Sequence, residues 1–388
     1  MLSTYFDNAS TTMVDSEVIE AMNKMQSFYF GNPSNTYNVG VDSANVVEKC
    51  REYISNMVGC NPDEIYFTSG GSEGDNWIIK GFAFENYVDS EDKALIVTSK
   101  VEHSAVLESC KWLKEHGFAD VVYLNVDKNC IVDTEELSSV LEKNIGRKTL
   151  VSIMSVNNET GAVQPIDKIR ELTMIYDRNN NVFLHSDMTQ GIPHLSMEII
   201  DHCDAITCSA HKFRGPKGVG FAMIRGYMDI DNLIHGGSQE FQKRAGTENV
   251  AGVVGMTVAL KKVVENDWSP FYVKSMSDYI SAKLSENDCV TVNCDSARGA
   301  SGILSVTVDG INAATMQSEL EKRGFIVGTG SACHSGRSTP SHVLKAIGLS
   351  DKDALNTFRI SVNDTNTPDI CFDLVKAIND VIEKKKQG

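Results

Sequence analysis

Two side chains able to do carbonyl and acid–base chemistry come directly after predicted β-strands. Lys212 follows a strand predicted over 205–208, and Asp187 follows one predicted over 182–185. A lysine beside a buried strand loses hydration, which lowers its pKa and makes the amine available for Schiff-base formation. A carboxylate at the same sheet edge could keep a pyridinium nitrogen protonated. Taken singly, a surface lysine in a turn explains Lys212 better, and a capping aspartate explains Asp187 equally well.

Three further segments add polar groups after other predicted strands. His103 could stack on an aromatic ring or transfer protons near neutral pH. Residues 68–73, with two glycines and Ser72 before a predicted helix, could bind a phosphate through backbone N–H groups and the helix N-terminus. Asn157 and Asn158 can donate to a phenolate or a carboxylate. Each feature alone also fits an ordinary turn, but together they predict one shared site.

Cys333 differs from the other nine cysteines in its surroundings. It lies within residues 328–338, a glycine-rich run of small polar residues that predicts a mobile loop. His334 and Arg337 nearby would favour its thiolate. Most other cysteines adjoin apolar residues and are expected in the core, and their spacing predicts no metal site. The alternative for Cys333 is an incidental loop thiol.

Alternating strands and helices must position these groups. The strands are predicted at 64–67, 94–98, 121–124, 150–155, 182–185, 205–208 and 220–224. The helices are predicted at 16–27, 43–58, 72–85, 105–116, 134–143 and 167–178. This alternation predicts an α/β fold with a mainly parallel sheet covered by helices, and a ligand site beyond the carboxyl ends of the strands.

The pattern changes after a predicted helix at 250–264. Strands at 302–308 and 357–361, and helices at 314–323, 342–347 and 368–385, predict a second, smaller α+β domain. We expect a large domain over 15–255. The small domain would comprise 1–14 and 256–388, including the Cys333 loop.

The bulk composition excludes some functions. The formal net charge of −16 disfavours general binding to nucleic acids or anionic membranes. No apolar run approaches the roughly 20 residues that a transmembrane helix needs. The first residues lack the pattern of a signal peptide, so we expect a cytoplasmic protein.

Over nearly its whole length the chain resembles the cysteine desulfurases, which are class V members of the fold-type I pyridoxal phosphate enzymes. The matching segments are 7–12, 31–34, 68–73, 102–103, 156–161, Asp187, Gln190, 209–212, 244–247, 330–333 and Arg359. The resemblance implies the fold-type I architecture, with a large domain that binds pyridoxal 5′-phosphate.

The resemblance also implies a role for each site residue. Lys212 would hold the cofactor as a Schiff base, Asp187 would pair with its pyridine nitrogen, and Gln190 would bond its phenolic oxygen. His103 would stack on the ring and act as an acid or base. The residues implied for the phosphate are Gly71, Ser72, Ser209 and His211. Asn158 would contact the cofactor and, with Arg359, the substrate carboxylate. Thr247 would reach the phosphate of the other subunit, which implies a homodimer.

The function implied is the conversion of L-cysteine to L-alanine, with a persulfide formed on Cys333. That sulfur would pass to an acceptor protein for iron–sulfur assembly, tRNA thiolation or another thio-modification. Three alternatives stay open: another class V enzyme such as an aminotransferase, a selenocysteine lyase, and a catalytically silent scaffold or sulfur-relay adaptor. Transfer of the amino group to a keto acid, selenocysteine turnover, or a purified protein without cofactor would distinguish them.

Overall fold

A computed structural model describes residues 4–87, 93–265, 270–294, 299–300, 302–329 and 339–386. The strands are β1 Tyr5–Phe6, β2 Ile65–Thr68, β3 Ala94–Ser99, β4 Ala119–Leu124, β5 Thr149–Ser152, β6 Val182–Asp187, β7 Ala205–Ser209, β8 Gly220–Ile224, β9 Val290–Asn293, β10 Ile303–Val308, β11 Ile326–Thr329 and β12 Thr357–Ser361. The helices are α1 Ser16–Phe28, α2 Asn38–Val58, α3 Gly71–Glu85, α4 Ser104–Glu115, α5 Thr134–Lys143, α6 Ile166–Tyr176, α7 Val250–Val264, α8 Pro270–Leu284, α9 Ala313–Glu321, α10 His342–Ala346, α11 Asp351–Leu355 and α12 Pro368–Lys386.

The first sheet has seven strands in the order β2-β8-β7-β6-β5-β3-β4. Only β8 runs antiparallel to its neighbours, so the other six share one direction. Successive side chains of β3 pack into two different hydrophobic cores. Leu95 and Val97 belong to one core, and Ile96 belongs to the other. Burial on both faces is what an apolar parallel strand requires. The predicted mainly parallel, helix-covered sheet is confirmed.

Strand ends differ from the predictions by a few residues. Strand β6 continues to Asp187 because Asp187 still pairs with Thr207 of β7. Strand β5 ends at Ser152, three residues earlier than predicted, although the Ser155 N–H still donates to the Asp187 carbonyl at 3.1 Å. The site residues therefore start at the very end of the sheet.

The second sheet has the order β1-β11-β12-β10-β9. Strands β1, β9 and β11 have two to four residues and were too short to predict from alternation. Helix α8 was missed because its buried side includes Ser277 and Ser281, which interrupt the apolar spacing. Strand β1 pairs with β11, which places the N-terminal segment with the C-terminal part of the chain. The exact domain boundaries stay a prediction.

Residues 7–12 connect the two sheets beside the carboxyl ends of the large sheet. The Asn8 amide donates to the Ser361 carbonyl at 2.8 Å, and the Thr12 N–H donates to the His211 carbonyl at 2.9 Å. This segment therefore fixes both domains around one cavity. Within the described part of the chain, no helix has the length and apolar composition that crossing a membrane requires.

Candidate active site

The carboxyl ends of the large sheet open into a cavity of about 590 Å³. Its lining includes ten residues that the sequence predicted: Gly71, Ser72, His103, Asn158, Asp187, Gln190, Ser209, His211, Lys212 and Arg359. They come from both sheets and from five separate strand ends. The fold therefore brings together groups that are up to 288 residues apart in sequence, from Gly71 to Arg359.

Lys212 lies on a short 3₁₀ turn that directly follows β7. Its Nζ donates to the carbonyl oxygens of Ala9 and Ser10, each at 2.8 Å. Burial, helped by the positive charge of Arg359, lowers the pKa of Lys212 to about 8, against the opposing charge of Asp187. A useful fraction of the amine is therefore neutral and nucleophilic near physiological pH.

Asp187 lies at the end of β6 and is 6% exposed. Its Oδ1 accepts a hydrogen bond from the Thr189 N–H at 2.9 Å. A carboxylate oxygen of Asp187 lies within 4.8 Å of a ring nitrogen of His103. A carboxylate fixed in this way at the cavity wall suits pairing with a protonated heterocycle.

His103 is the N-cap of helix α4, where its Nδ1 accepts a hydrogen bond from the Ala105 N–H at 3.2 Å. Because Nδ1 is an acceptor, the neutral ring has its proton on Nε2. Burial lowers the pKa of His103, and the positive charge of Lys212 adds to this effect while Asp187 opposes it. The ring is therefore neutral at physiological pH and able to accept a proton.

The start of helix α3 provides a site for an anion. Gly70 has φ of 147°, and a Cβ on Gly71 would lie only 2.6 Å from Thr189 Oγ1. Glycines here let the backbone N–H groups of the helix N-terminus meet a ligand closely. Thr189 Oγ1 is buried and has no hydrogen-bond partner among the described residues. These donors fit the phosphate of the expected cofactor.

A second cavity of about 430 Å³ lies at the same helix end, and Ser72, Ser209 and His211 line it. His211 Nδ1 lies 3.1 Å from Thr11 Oγ1. Burial, together with the charges of Lys212 and Lys217, lowers the pKa of His211 to about 4. His211 is therefore neutral and would bind a phosphate as a hydrogen-bond donor, not as a cation.

Arg359 on β12 supplies a cation from the second sheet. Its Nη2 donates to Asp7 Oδ1 at 2.6 Å, and its Nη1 donates to the Asn158 carbonyl at 2.7 Å. Its Nε is buried with no partner within the described residues. Gln190 Nε2 donates to the Ala9 carbonyl at 2.8 Å, so the N-terminal segment also positions Gln190. A guanidinium held by two partners is oriented for planar recognition of a carboxylate.

Two predicted site residues are not among the described residues that line this cavity. Thr247 is exposed and is not among the described residues that line it, although nearby Arg244 pairs with Glu73 of α3 at 2.9 Å. Cys333 lies outside the described residues, as do its neighbours from 330 to 338. Their roles stay predictions.

Several residues of this region were not predicted to act at the site. Asp7 holds Arg359, and Thr189 closes the anion site, yet the sequence alone gave them no role. Asp75 lies three residues after Ser72 and lines the same cavity. The i, i+3 spacing on α3 was the available signal, since such residues share a helix face.

Comparisons with known proteins agree with this geometry. The family model of class V aminotransferases matches residues 4–369. A cysteine desulfurase, IscS, of Methanosarcina thermophila is 37% identical over 98% of this chain and 92% of its own length. A solved NifS-like protein has a TM-score of 0.88 at 33% identity, covering 98% of this chain and 99% of its own. A solved structure of SspA in complex with cysteine has a TM-score of 0.78 at 33% identity, covering 92% and 98%.

These similarities extend over both sheets and over every strand end that lines the cavity. They confirm the expected fold-type I architecture and its cofactor, pyridoxal 5′-phosphate, and the residues that line the cavity have the chemistry to hold its phosphate, ring and carbonyl. The chain belongs to the class V aminotransferase family and, within it, to the cysteine desulfurases.

Proposed function

We propose that the protein converts L-cysteine to L-alanine and transfers the sulfur, as a persulfide of Cys333, to an acceptor protein. The observation that supports this most is the joint placement of Lys212 and Arg359 in one cavity, 590 Å³ in size. A nucleophilic amine beside a carboxylate-binding guanidinium suits an amino acid substrate. The IscS relative and the cysteine-bound SspA structure favour cysteine as that amino acid.

When bound, pyridoxal phosphate withdraws electrons from the substrate Cα through its pyridine ring. We propose that Lys212 links the cofactor, Asp187 faces its pyridine nitrogen, and Gln190 bonds its phenolic oxygen. The phosphate would be held by Gly71, Ser72, Ser209 and His211. His103 would cover the ring, as its place within 4.8 Å of Asp187 suggests.

Proton transfer is the task of Lys212 and His103. The lowered pKa of Lys212, about 8, allows the neutral amine to accept the Cα proton and to return it to Cα as alanine forms, while the β-carbon gains the proton that His103 takes from the substrate thiol. His103, also neutral because burial lowers its pKa, would take the proton of the substrate thiol.

The sulfur step balances without an outside oxidant. The thiolate of Cys333 attacks the substrate sulfur, an S–S bond forms, and the C–S bond breaks. The β-carbon keeps the electron pair and gains a proton, so cysteine plus one enzyme thiol gives alanine plus one enzyme persulfide. A second thiol is needed only to release or accept that sulfur.

Arg359→Lys should separate substrate binding from chemistry. The lysine keeps the charge but loses the planar fork held by Asp7 and Asn158. We expect the KM for L-cysteine to rise about 10- to 100-fold, with a smaller change in kcat. A rise of this size corresponds to the loss of one or two charge-assisted hydrogen bonds. Steady-state alanine release measures both. Arg147→Lys, whose arginine pairs with Asp120 outside the cavity, is the control, and equal KM values for the two variants would contradict the assignment.

The function itself is tested with L-cysteine as the sole substrate and a reducing thiol present. Alanine and sulfide should appear in equal amounts. Alanine formed only when a 2-keto acid accepts an amino group would identify an aminotransferase instead. A large preference for selenocysteine over cysteine would identify a selenocysteine lyase, and a protein that purifies without cofactor would support a scaffold role.

We further propose a homodimer that acts in the cytoplasm. Thr247 is exposed and would complete the phosphate site of the partner subunit. Large apolar side chains at the end of α1 are also exposed, with Phe28 at 71% and Phe30 at 73%. All nine described cysteines are unpaired, as in a reducing compartment. The acceptor would serve iron–sulfur assembly, tRNA thiolation or another thio-modification.

A further inference from the structure

Two carboxylates lie close together in the lining of the cavity. Asp75 of α3 and Asp187 of β6 each place an oxygen within 4.8 Å of the other. Asp75 is 1% exposed and Asp187 is 6% exposed. Two carboxylates this close in a poorly solvated region are strongly disfavoured as two anions, so one of them should hold a proton.

The packing of helix α3 fixes Asp75 in this place. A Cβ on Gly74 would lie 2.6 Å from Thr207 Cγ2, so this glycine allows α3 to approach β7 closely. Thr207 Oγ1 then donates to Asp75 Oδ1 at 2.5 Å. The other oxygen, Oδ2, is buried and meets no donor among the described residues. A proton on Asp75 would satisfy that oxygen, because the carboxylic acid could donate to Asp187.

Among the described residues, Asp75 forms no ion pair with a lysine or an arginine, and the His103 ring within 4.8 Å of it is neutral because burial lowers its pKa. His185 Nε2 lies 3.7 Å from Asp75 Oδ1, which is too long for a hydrogen bond, and His185 Nδ1 lies 2.9 Å from Ser152 Oγ. Burial lowers the pKa of His185 to about 4, so its ring is neutral. Burial first, and then the charge of Asp187, raises the pKa of Asp75 well above its usual range.

Asp187 has the opposite surroundings. Its Oδ1 accepts the Thr189 N–H at 2.9 Å, and its carboxylate interacts with the positive charge of Lys212. This donor and this cation stabilise a negative charge on Asp187. The single negative charge of the pair therefore resides on Asp187.

We propose that Asp75 is a positioning residue that stays protonated and donates a hydrogen bond to Asp187, fixing the anionic carboxylate that faces the pyridine nitrogen. This inference rests on the proposed function, because it assumes that Asp187 pairs with the cofactor. It explains why a buried acid without a cation lies on the side of α3 next to β7. Asp75 itself needs no contact with substrate or cofactor.

The test compares Asp75→Asn with Asp75→Ala. Asparagine reproduces the neutral acid, since its Oδ1 can accept from Thr207 and its Nδ2 can donate to Asp187. For Asp75→Asn we expect a dissociation constant for pyridoxal phosphate within about threefold of the wild-type value. The pH midpoint of the bound-cofactor absorbance should be unchanged. Asp75→Ala should bind it about 10- to 100-fold more weakly and shift that midpoint, because a hydrogen bond to a charged group is lost.

The measurements are the cofactor dissociation constant of the apoprotein and the absorbance titration of the holoprotein. The proposal is overturned if Asp75→Ala behaves as wild type, or if Asp75→Asn moves the midpoint as far as Asp187→Asn does. If Asp75→Ala does not fold, Thr207→Val replaces it and should weaken binding in the same direction.

Two further variants separate the causes of failure. If Asp187→Asn also keeps the wild-type affinity and midpoint, the cofactor assignment of the proposed function is wrong. If Asp187→Asn changes both and the Asp75 variants change neither, only the role of Asp75 is wrong. Asp204→Asn is the matched control, since Asp204 is a buried aspartate (2% exposed) outside the cavity lining and should leave the midpoint unchanged.

Discussion

Lys212→Ala should yield a protein with no Schiff-base absorbance and with turnover lowered at least 10²- to 10⁴-fold, roughly the range for loss of a general acid–base group. The substitution removes both the amine that links the cofactor and the base proposed for the Cα proton. Its Nζ lies in the cavity and donates to the carbonyls of the N-terminal segment, and no other described lysine lines this cavity. The absorbance spectrum and alanine release measure the two effects.

A matched control is Lys80→Ala. Lys80 is also on an element that lines the site, helix α3, but it bonds Asn76 outside the cavity. It should keep the spectrum and the rate of the wild type. A Lys212→Ala protein that still shows the Schiff-base band would mean that another amine holds the cofactor.

The pH dependence of cofactor loading follows from the same residue. Because only the neutral amine attacks an aldehyde, and the pKa of Lys212 is about 8, loading of the apoprotein should slow about tenfold per pH unit below pH 8. Above about pH 8 the rate should level off. A rate that keeps rising towards pH 10 would indicate a lysine with an ordinary pKa and contradict the buried, cation-flanked setting described above.

The sequence could predict that the site residues lie close together, because this depends on the order of strands and helices along the chain. Lys212, Asp187 and His103 each follow a strand, and strands joined by helices run parallel, so their ends meet at one sheet edge. The alternation of strands and helices is a property of short windows of sequence. The groups that share the cavity could therefore be predicted without knowing any contact between distant parts of the chain.

The contacts that orient these groups could not be predicted in the same way. Asp7 and Arg359 are 352 residues apart, and they come together because β1 pairs with β11, β11 pairs with β12, and Asp7 bridges Ser361 of β12. Asp75 lies beside Asp187 because Gly74 lets α3 approach Thr207. Protonation states depend on this packing too, since desolvation and neighbouring charges set the pKa of a side chain.

Glu102 illustrates the same limit. The sequence places it beside His103, where it could have been an exposed acid. The structure buries it, and burial raises its pKa to about 8 despite hydrogen bonds from Ser99 Oγ at 2.6 Å and the Met154 N–H at 2.8 Å. Its carboxylate therefore joins β3 to the segment after β5 and is not available at the surface.

Cys333→Ser should remove sulfur transfer while leaving the cofactor in place. We expect alanine release to fall about 10³-fold or more, because a hydroxyl is a far weaker nucleophile towards sulfur than a thiolate and the step has no substitute. The Schiff-base spectrum should match wild type, and adding L-cysteine should still perturb it, since Arg359 and Asn158, the groups proposed to bind the substrate, are intact. Mass spectrometry of the wild-type protein after cysteine should show one added sulfur at Cys333.

The described residues strengthen the case for Cys333 by elimination. Six of the other nine cysteines are buried, three are half-buried, and none of them lines the cavity. Burial raises the pKa of Cys60, one of the half-buried thiols, to about 12, so it is protonated and unreactive at physiological pH. Cys60→Ser should therefore keep full activity and serves as the control. If Cys333→Ser kept its turnover, the sulfur would have to leave the substrate without an enzyme thiol, and the assignment as a persulfide donor would fail.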